Sequence, residues 1–145
     1  MKTKHPTLGL MLIIVSCFTI IACKKGDSTN SSIVGRWEER HDLYTETDTS
    51  VSPASVFRQD TTYATGHGEI LEFGSSGEYK IRNRPPSTHS DTGTYTFTNN
   101  TLTIQFAGRA AGSESATVSG NDLVITFDFT GGSIKYHSVT NYVRL

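Results

Sequence analysis

Cysteine is nearly missing from this chain of 145 residues, with two in all, Cys17 and Cys23, both near the start. Neither leaves a pair for a disulfide beyond position 23, so the rest of the chain must be held by packing. Apolar runs are equally scarce: after Ala22 no stretch is long enough to span a bilayer as a helix. No segment carries a helical period of useful length, which excludes a helical bundle. The charge is also unremarkable. Without residues 1–22 the chain loses Lys2 and Lys4 from its 13 basic residues and keeps its 14 acidic ones, leaving about −3. With no basic stripe, nucleic acid is not an expected partner. Gly-x-Ser-x-Gly, a phosphate loop and a Cys/His nucleophile pair are all absent, so neither an enzyme nor a cofactor is expected.

What is present begins with a basic start (Lys2, Lys4, His5) and the apolar run Leu8 to Ala22, the length of a secretory leader rather than a membrane span. Ile20-Ile21-Ala22-Cys23 resembles the bacterial lipobox, in which the leader is cut before a cysteine that then carries acyl chains. That resemblance implies a signal peptide over 1–22, lipidation at Cys23 and a membrane-lipid partner. Two or more acyl chains hold a protein firmly, since each buried methylene contributes about 0.8 kcal/mol. Cys23-Lys24-Lys25-Gly26-Asp27 is similar to the start of many Bacteroidetes lipoproteins, and Lys24 stands where an aspartate would signal inner-membrane retention. The implied location is the cell envelope, at the outer membrane. Residues 23–32 have almost nothing to bury and read as a flexible tether spanning roughly 17 Å.

From Ile33 to Leu145 the chain reads as one all-β domain. Short alternating runs rich in Thr, Tyr, Phe, Ile and Val recur between Gly, Asn and Ser clusters, the pattern of antiparallel strands. Eight are expected, over 33–44, 69–73, 78–82, 92–98, 101–106, 115–118, 123–129 and 134–145. In the last, the apolar parity slips from Ile134 and Tyr136 to Val139, Val143 and Leu145, which predicts a bulge near His137. Tight turns at Gly74–Gly77, Asn99-Asn100 and Ser119–Asp122 alternate with longer connections at Thr45–Gly68, Asn83–Asp91 and Ala107–Glu114. An up-and-down meander would gather the long ones at one end, the mouth of an eight-stranded antiparallel barrel. The alternative is a sandwich or an open meander, which an extra strand over 56–63 would favour by spoiling the alternation.

Gly35-Arg36-Trp37 resembles the Gly-x-Trp that opens the first strand of lipocalins, and the whole is similar to lipocalin-like lipoproteins of Bacteroidetes. The resemblance implies that Gly35 and Trp37 close the narrow end of the barrel and that a late arginine, Arg144, packs over the indole. The family's Thr-Asp-Tyr motif is missing.

For a site, His41 shares parity with Trp37 and Leu43 and is expected to point inward, toward the mouth. With Tyr79, Tyr95 and Phe127 it would line a mostly apolar pocket for a small apolar or amphipathic ligand. Phe57 and Tyr63, in a long connection with more apolar residues than a solvated loop needs, are expected to fold over the mouth as a lid. The alternative is a barrel filled solid by its aromatics, serving as an envelope structural or protein-interaction module. His67-Gly68-Glu69 and His89-Ser90-Asp91 lack usual ligand spacings, so no metal site is expected. Glu38, Glu39 and Glu46 read as a solvated face.

Overall fold

The computed structural model describes residues 32–145. The expected signal peptide, Cys23 and all of the tether but Ser32 lie outside the described residues. Nine strands follow in order: β1 (Gly35–Asp48), β2 (Ser55–Thr62), β3 (Ile70–Phe73), β4 (Glu78–Arg82), β5 (Ser90–Thr98), β6 (Thr101–Phe106), β7 (Gly112–Ser119), β8 (Asp122–Gly131) and β9 (Ile134–Arg144). Every pairing is antiparallel, and β9 returns to β1, so β1 and β3 through β9 close an eight-stranded barrel.

The ninth strand, β2, stands outside that ring. β1 is 14 residues long and has two partners on one edge: its first part, Gly35–Glu38, pairs with β3, and its outer part, His41–Asp48, pairs with β2. β2 runs down the edge of β1 in line with β3, so the alternation of tight and long connections survives the extra strand. The lid expected over Thr45–Gly68 is therefore corrected: Thr45–Asp48 prolongs β1, 49–54 turns back, Ser55–Thr62 is β2, and 63–69 continues along the same edge of β1 into β3.

Local sequence explains the tight end. Asn99 and Asn100 both have positive φ, 51° and 61°, the backbone of a two-residue hairpin turn that asparagine tolerates well. Gly35 has φ +139°, and a Cβ there would come 2.6 Å from Arg144 Nη1. Glycine at this position thus makes room for the arginine that seals the barrel. Trp37 is wholly buried, its Nε1–H donates to the Ile33 carbonyl at 2.7 Å, and the Arg144 guanidinium lies 4.1 Å from the indole centre. Arg144 also donates to the carbonyls of Val34 (2.8 Å) and Ser32 (2.7 Å), tying the first described residues to the last strand. Around Trp37 pack Ile33, Leu71, Phe73, Leu102, Ala116 and Leu123.

The bulge lies in β1 rather than near His137. Glu39 pairs with Tyr142 and His41 with Asn141, leaving Arg40 over, whereas β8 and β9 pair without interruption from Asp122–Val143 to Gly131–Ile134. One extra residue reverses the side-chain parity of everything beyond it. Before the bulge Trp37 and Glu39 face the interior; after it Asp42, Tyr44 and Glu46 do, and His41 and Leu43 turn outward. The parity slip in β9 has another cause: its interior residues in mid-strand are polar, Ser138 and Thr140, while Val139 and Val143 face out.

Candidate functional site

Above the packed floor the barrel is hollow. A cavity of about 420 Å³ opens toward the long connections and is walled by apolar side chains of four strands, Leu71, Ile81, Ile104, Phe106, Ile125 and Phe127. That volume falls within the range of small-molecule sites, roughly 300–1,000 Å³. A larger concavity of about 910 Å³ lies across β1 and β3 to β6, lined by the outward residues Arg36, Glu72, Lys80, Thr92 and Gln105 and by Val34, Phe73, Tyr79 and Phe106. It is a saddle of the sheet, and the barrel interior is the better site because its walls converge.

Carboxylates enter the interior from β1, from β7 and from the connection that leads into β3. Glu39, wholly buried, takes Nε of Arg84 at 2.6 Å and a second guanidinium hydrogen bond from Nη2, a two-pronged ion pair between β1 and the β4–β5 connection. Its Oε2 also accepts the backbone N–H of Glu69 at 3.0 Å. Tyr63 lies against the same guanidinium, 4.6 Å from ring centre to Arg84 Cζ. Glu69 follows Gly68 into the cavity wall and accepts a hydrogen bond from the Tyr142 hydroxyl at 3.3 Å. Burial, with the Glu39 charge adding to it and Arg84 and Tyr142 opposing it, pushes the Glu69 carboxyl up to about 7. Glu114, on β7, also faces the cavity, and burial raises it too. Asp42 accepts from the hydroxyls of Thr140 (3.0 Å) and Ser138 (3.3 Å). Tyr142, fully enclosed, is raised by burial and by the Glu69 charge, so it stays a donor.

The strands β1, β2, β8 and β9 run on past the rim and carry the interior face with them. On this overhang Phe57, Tyr44, Tyr136, Phe129 and Phe127 form a chain of rings whose successive centroids are 5.9–6.4 Å apart. Phe57 and Phe129 are more than half exposed.

The residues singled out from the sequence separate. Tyr79 and Phe127 line the cavity together. Tyr63 sits beside it against Arg84, and Phe57 lies out on the overhang, so Phe57 does not close the mouth as a lid. Tyr95 belongs to the floor, its ring 4.9 Å from Phe73 and its hydroxyl donating to the Gly74 carbonyl at 2.8 Å. His41 faces outward, contrary to expectation, because the β1 bulge reverses its parity; it meets Asp60 Oδ1 at 2.7 Å and the Asn141 side chain at 3.2 Å. Glu38 and Glu39 are no solvated face. Glu39 is inside, and Glu38, covered on the outside, takes the Gly66 N–H on one oxygen and pairs with Arg40 at 2.8 Å on the other, off hydrogen-bond geometry. Arg84, Glu114 and Tyr142 escaped sequence reading, and Glu69 enters it only beside His67, for a metal. The parity of Glu114 with Ala116 and Val118 was the available signal, since an inward strand face that includes a carboxylate marks a polar group in the core. Among the described residues no group of three or more His, Cys, Asp or Glu side chains is placed to hold a metal ion.

A closed antiparallel barrel sealed at one end by a tryptophan and an arginine, and hollow at the other, defines a class of cup-shaped binding folds. A family model described as a lipocalin-like domain matches residues 33–125, well over half of the chain, and the protein belongs to that family. Among curated proteins, none matches.

Proposed function

We propose that this protein is a lipid-anchored binding module that holds a small apolar or amphipathic molecule in the mouth of its barrel. The observation that carries the reading is the cavity of about 420 Å³ with apolar walls and a few convergent polar groups, Glu69, Glu114, Ser138 and Thr140. Membership of the lipocalin-like family supports it. The reading assigns the chain no chemical step. The anchor is the acylated Cys23, and the proposed location is the outer membrane. The described chain starts at Ser32, at the Trp37 end, and Arg144 fastens it there. A tether leaving from that end holds the closed floor toward the lipid and presents the mouth to the aqueous side.

The binding half is tested by titration with a neutral apolar fluorescent probe against two variants that fill the cavity, Ile104→Trp and Ala110→Phe. A folded variant should lose probe binding at least tenfold; wild-type affinity in both would remove the cavity from the account. The anchoring half is tested by metabolic labelling with a palmitate analogue, which should mark the wild-type chain and leave Cys23→Ser unmarked.

A second reading, contact with a partner protein, rests on the overhang, where Phe57 and Phe129 are exposed at 56% and 52%. Under it, probe binding is absent and polar substitutions at those two rings abolish capture of the partner.

A further inference from the structure

The polar atoms turned into the cavity carry a sign. Glu69 and Glu114 contribute carboxylates to its wall, and Ser138 and Thr140 contribute hydroxyls whose protons are directed to Asp42. What these groups offer a ligand is acceptors. Of the three cations nearby, two are already committed and the third, Arg109, reaches the cavity only at its rim. Arg84 is locked on Glu39 by two hydrogen bonds, and Arg144 covers Trp37 at the opposite end. Arg109 stands at the rim, exposed, with its guanidinium 5.8 Å from the Phe106 ring, where water screens it. The two wall carboxylates differ in how well they are satisfied. Glu69 has the Tyr142 hydroxyl, whereas Glu114 has no hydrogen-bond or ion-pair partner among the described residues. Both line the same cavity, together with Tyr79. A partly desolvated carboxylate with no partner gains most from a charged donor.

We infer that the cavity takes amphiphiles with an ammonium-type head in preference to carboxylates, the head lying between Glu69 and Glu114 and the tail passing over Ile125 and Phe127 to the rim. An anionic head in the same place would face two like charges, with only the exposed guanidinium of Arg109 at the rim to answer them. The inference rests on the binding reading above and sharpens it to a ligand class.

The test is displacement of neutral N-phenyl-1-naphthylamine from the whole mature protein by dodecylammonium, dodecanol and dodecanoate, at about pH 8, where Glu69 is ionised and the amine still protonated. Dodecylammonium should displace the probe at about one tenth of the dodecanoate concentration, with dodecanol between them. In Glu69→Gln/Glu114→Gln the ammonium advantage should fall to about twofold while dodecanol is unchanged; Glu114→Gln, which breaks no hydrogen bond, serves if the double variant is unstable. Dodecanoate displacing as well as dodecylammonium, or an ammonium advantage that survives both glutamine variants, overturns the inference and leaves the binding reading standing. If neither the probe nor dodecanol binds at all, the binding reading itself falls, and this inference with it.

Discussion

At the floor of the barrel Trp37 is wholly enclosed by aliphatic and aromatic side chains under the Arg144 guanidinium; two residues further along the same strand Glu39 is enclosed just as completely, by an arginine, a backbone N–H and Tyr142. The first kind of burial is mostly packing, its one charged neighbour is an arginine that stays protonated, and it changes little with pH. The second depends on Arg84 arriving from a different connection, and on a neighbouring carboxyl, Glu69, that ionises only near neutrality. Packing holds one end and charge holds the other, and only the charged end is hollow. A cavity among apolar groups alone would tend to collapse or stay dry, whereas polar groups that must be satisfied keep the strands of the mouth at a distance.

The strongest way to break the contrast is at the floor. Trp37→Ala removes the largest buried side chain and leaves Arg144 without its ring, and should cost about 3–5 kcal/mol, read as a lowered urea midpoint with the slope unchanged. A loss below about 1 kcal/mol would mean that the floor is not the stabilising end.

Second in size is the ion pair. Arg84→Ala leaves Glu39 buried with its charge uncompensated, which in a fully enclosed site costs about 3–5 kcal/mol. The Arg84 side chain is 43% exposed, so water can enter when it is removed and the expected loss is about 2–3 kcal/mol. Glu39→Gln, which keeps a group able to accept from Glu69 N–H, should cost less than Arg84→Ala. The reverse order in denaturation experiments would show that the arginine, rather than the carboxylate, is the group that suffers when alone.

Third comes pH. Glu69 binds its proton more tightly in the folded state, with its carboxyl moved from 4.5 to about 7. Between those values the folded protein holds more protons than the unfolded one, so stability is greatest below about pH 4.5 as far as this group is concerned. It declines as pH rises through the window and levels off above about 7. The decline is at most about 3 kcal/mol, at about 1.4 kcal/mol per pH unit. Glu69→Gln should flatten the profile in that window without altering the contribution of Trp37. A wild-type profile already flat from pH 5 to about 7 would contradict the raised carboxyl.

How much of this could be read beforehand divides along the same line as the molecule. The floor was legible: Gly35-Arg36-Trp37, Asn99-Asn100 and the alternation of Leu102, Ile104 and Phe106 act through local backbone preference and a period of two, which a sequence displays directly. The mouth was not. A bulge at Arg40 is one residue of register between β1 and β9, invisible in β1 alone, yet it turned His41 out and brought Asp42 in. The Arg84–Glu39 pair joins residues 45 positions apart, and neither has a neighbour that announces it. Charged residues also read as surface by default, which hid the burial of Glu38 and Glu39. The strand β2 was visible as a possibility, but whether it joined the ring depended on which half of β1 it would pair with, again a matter of register.

The smallest expected effect separates Phe57 from Phe127, two rings in the same aromatic chain. Phe127 belongs to the cavity wall and is 41% exposed; Phe57 lies on β2, outside the ring, is 56% exposed and touches Tyr44 edge-on at 6.3 Å between centroids. Neither carries much of the fold, so Phe57→Ala should change stability by no more than about 0.5 kcal/mol. In binding they should part. Phe127→Ala removes apolar wall from the site and should weaken a neutral probe by about tenfold, the equivalent of about 1.4 kcal/mol. Phe57→Ala should weaken it by twofold or less, because β2 adds a ledge beyond the rim and not a wall. If Phe57→Ala instead weakens the probe as much as Phe127→Ala does, the ligand extends over the overhang, and the binding surface is the four-stranded sheet of β2, β1, β9 and β8 together with the cavity beneath it.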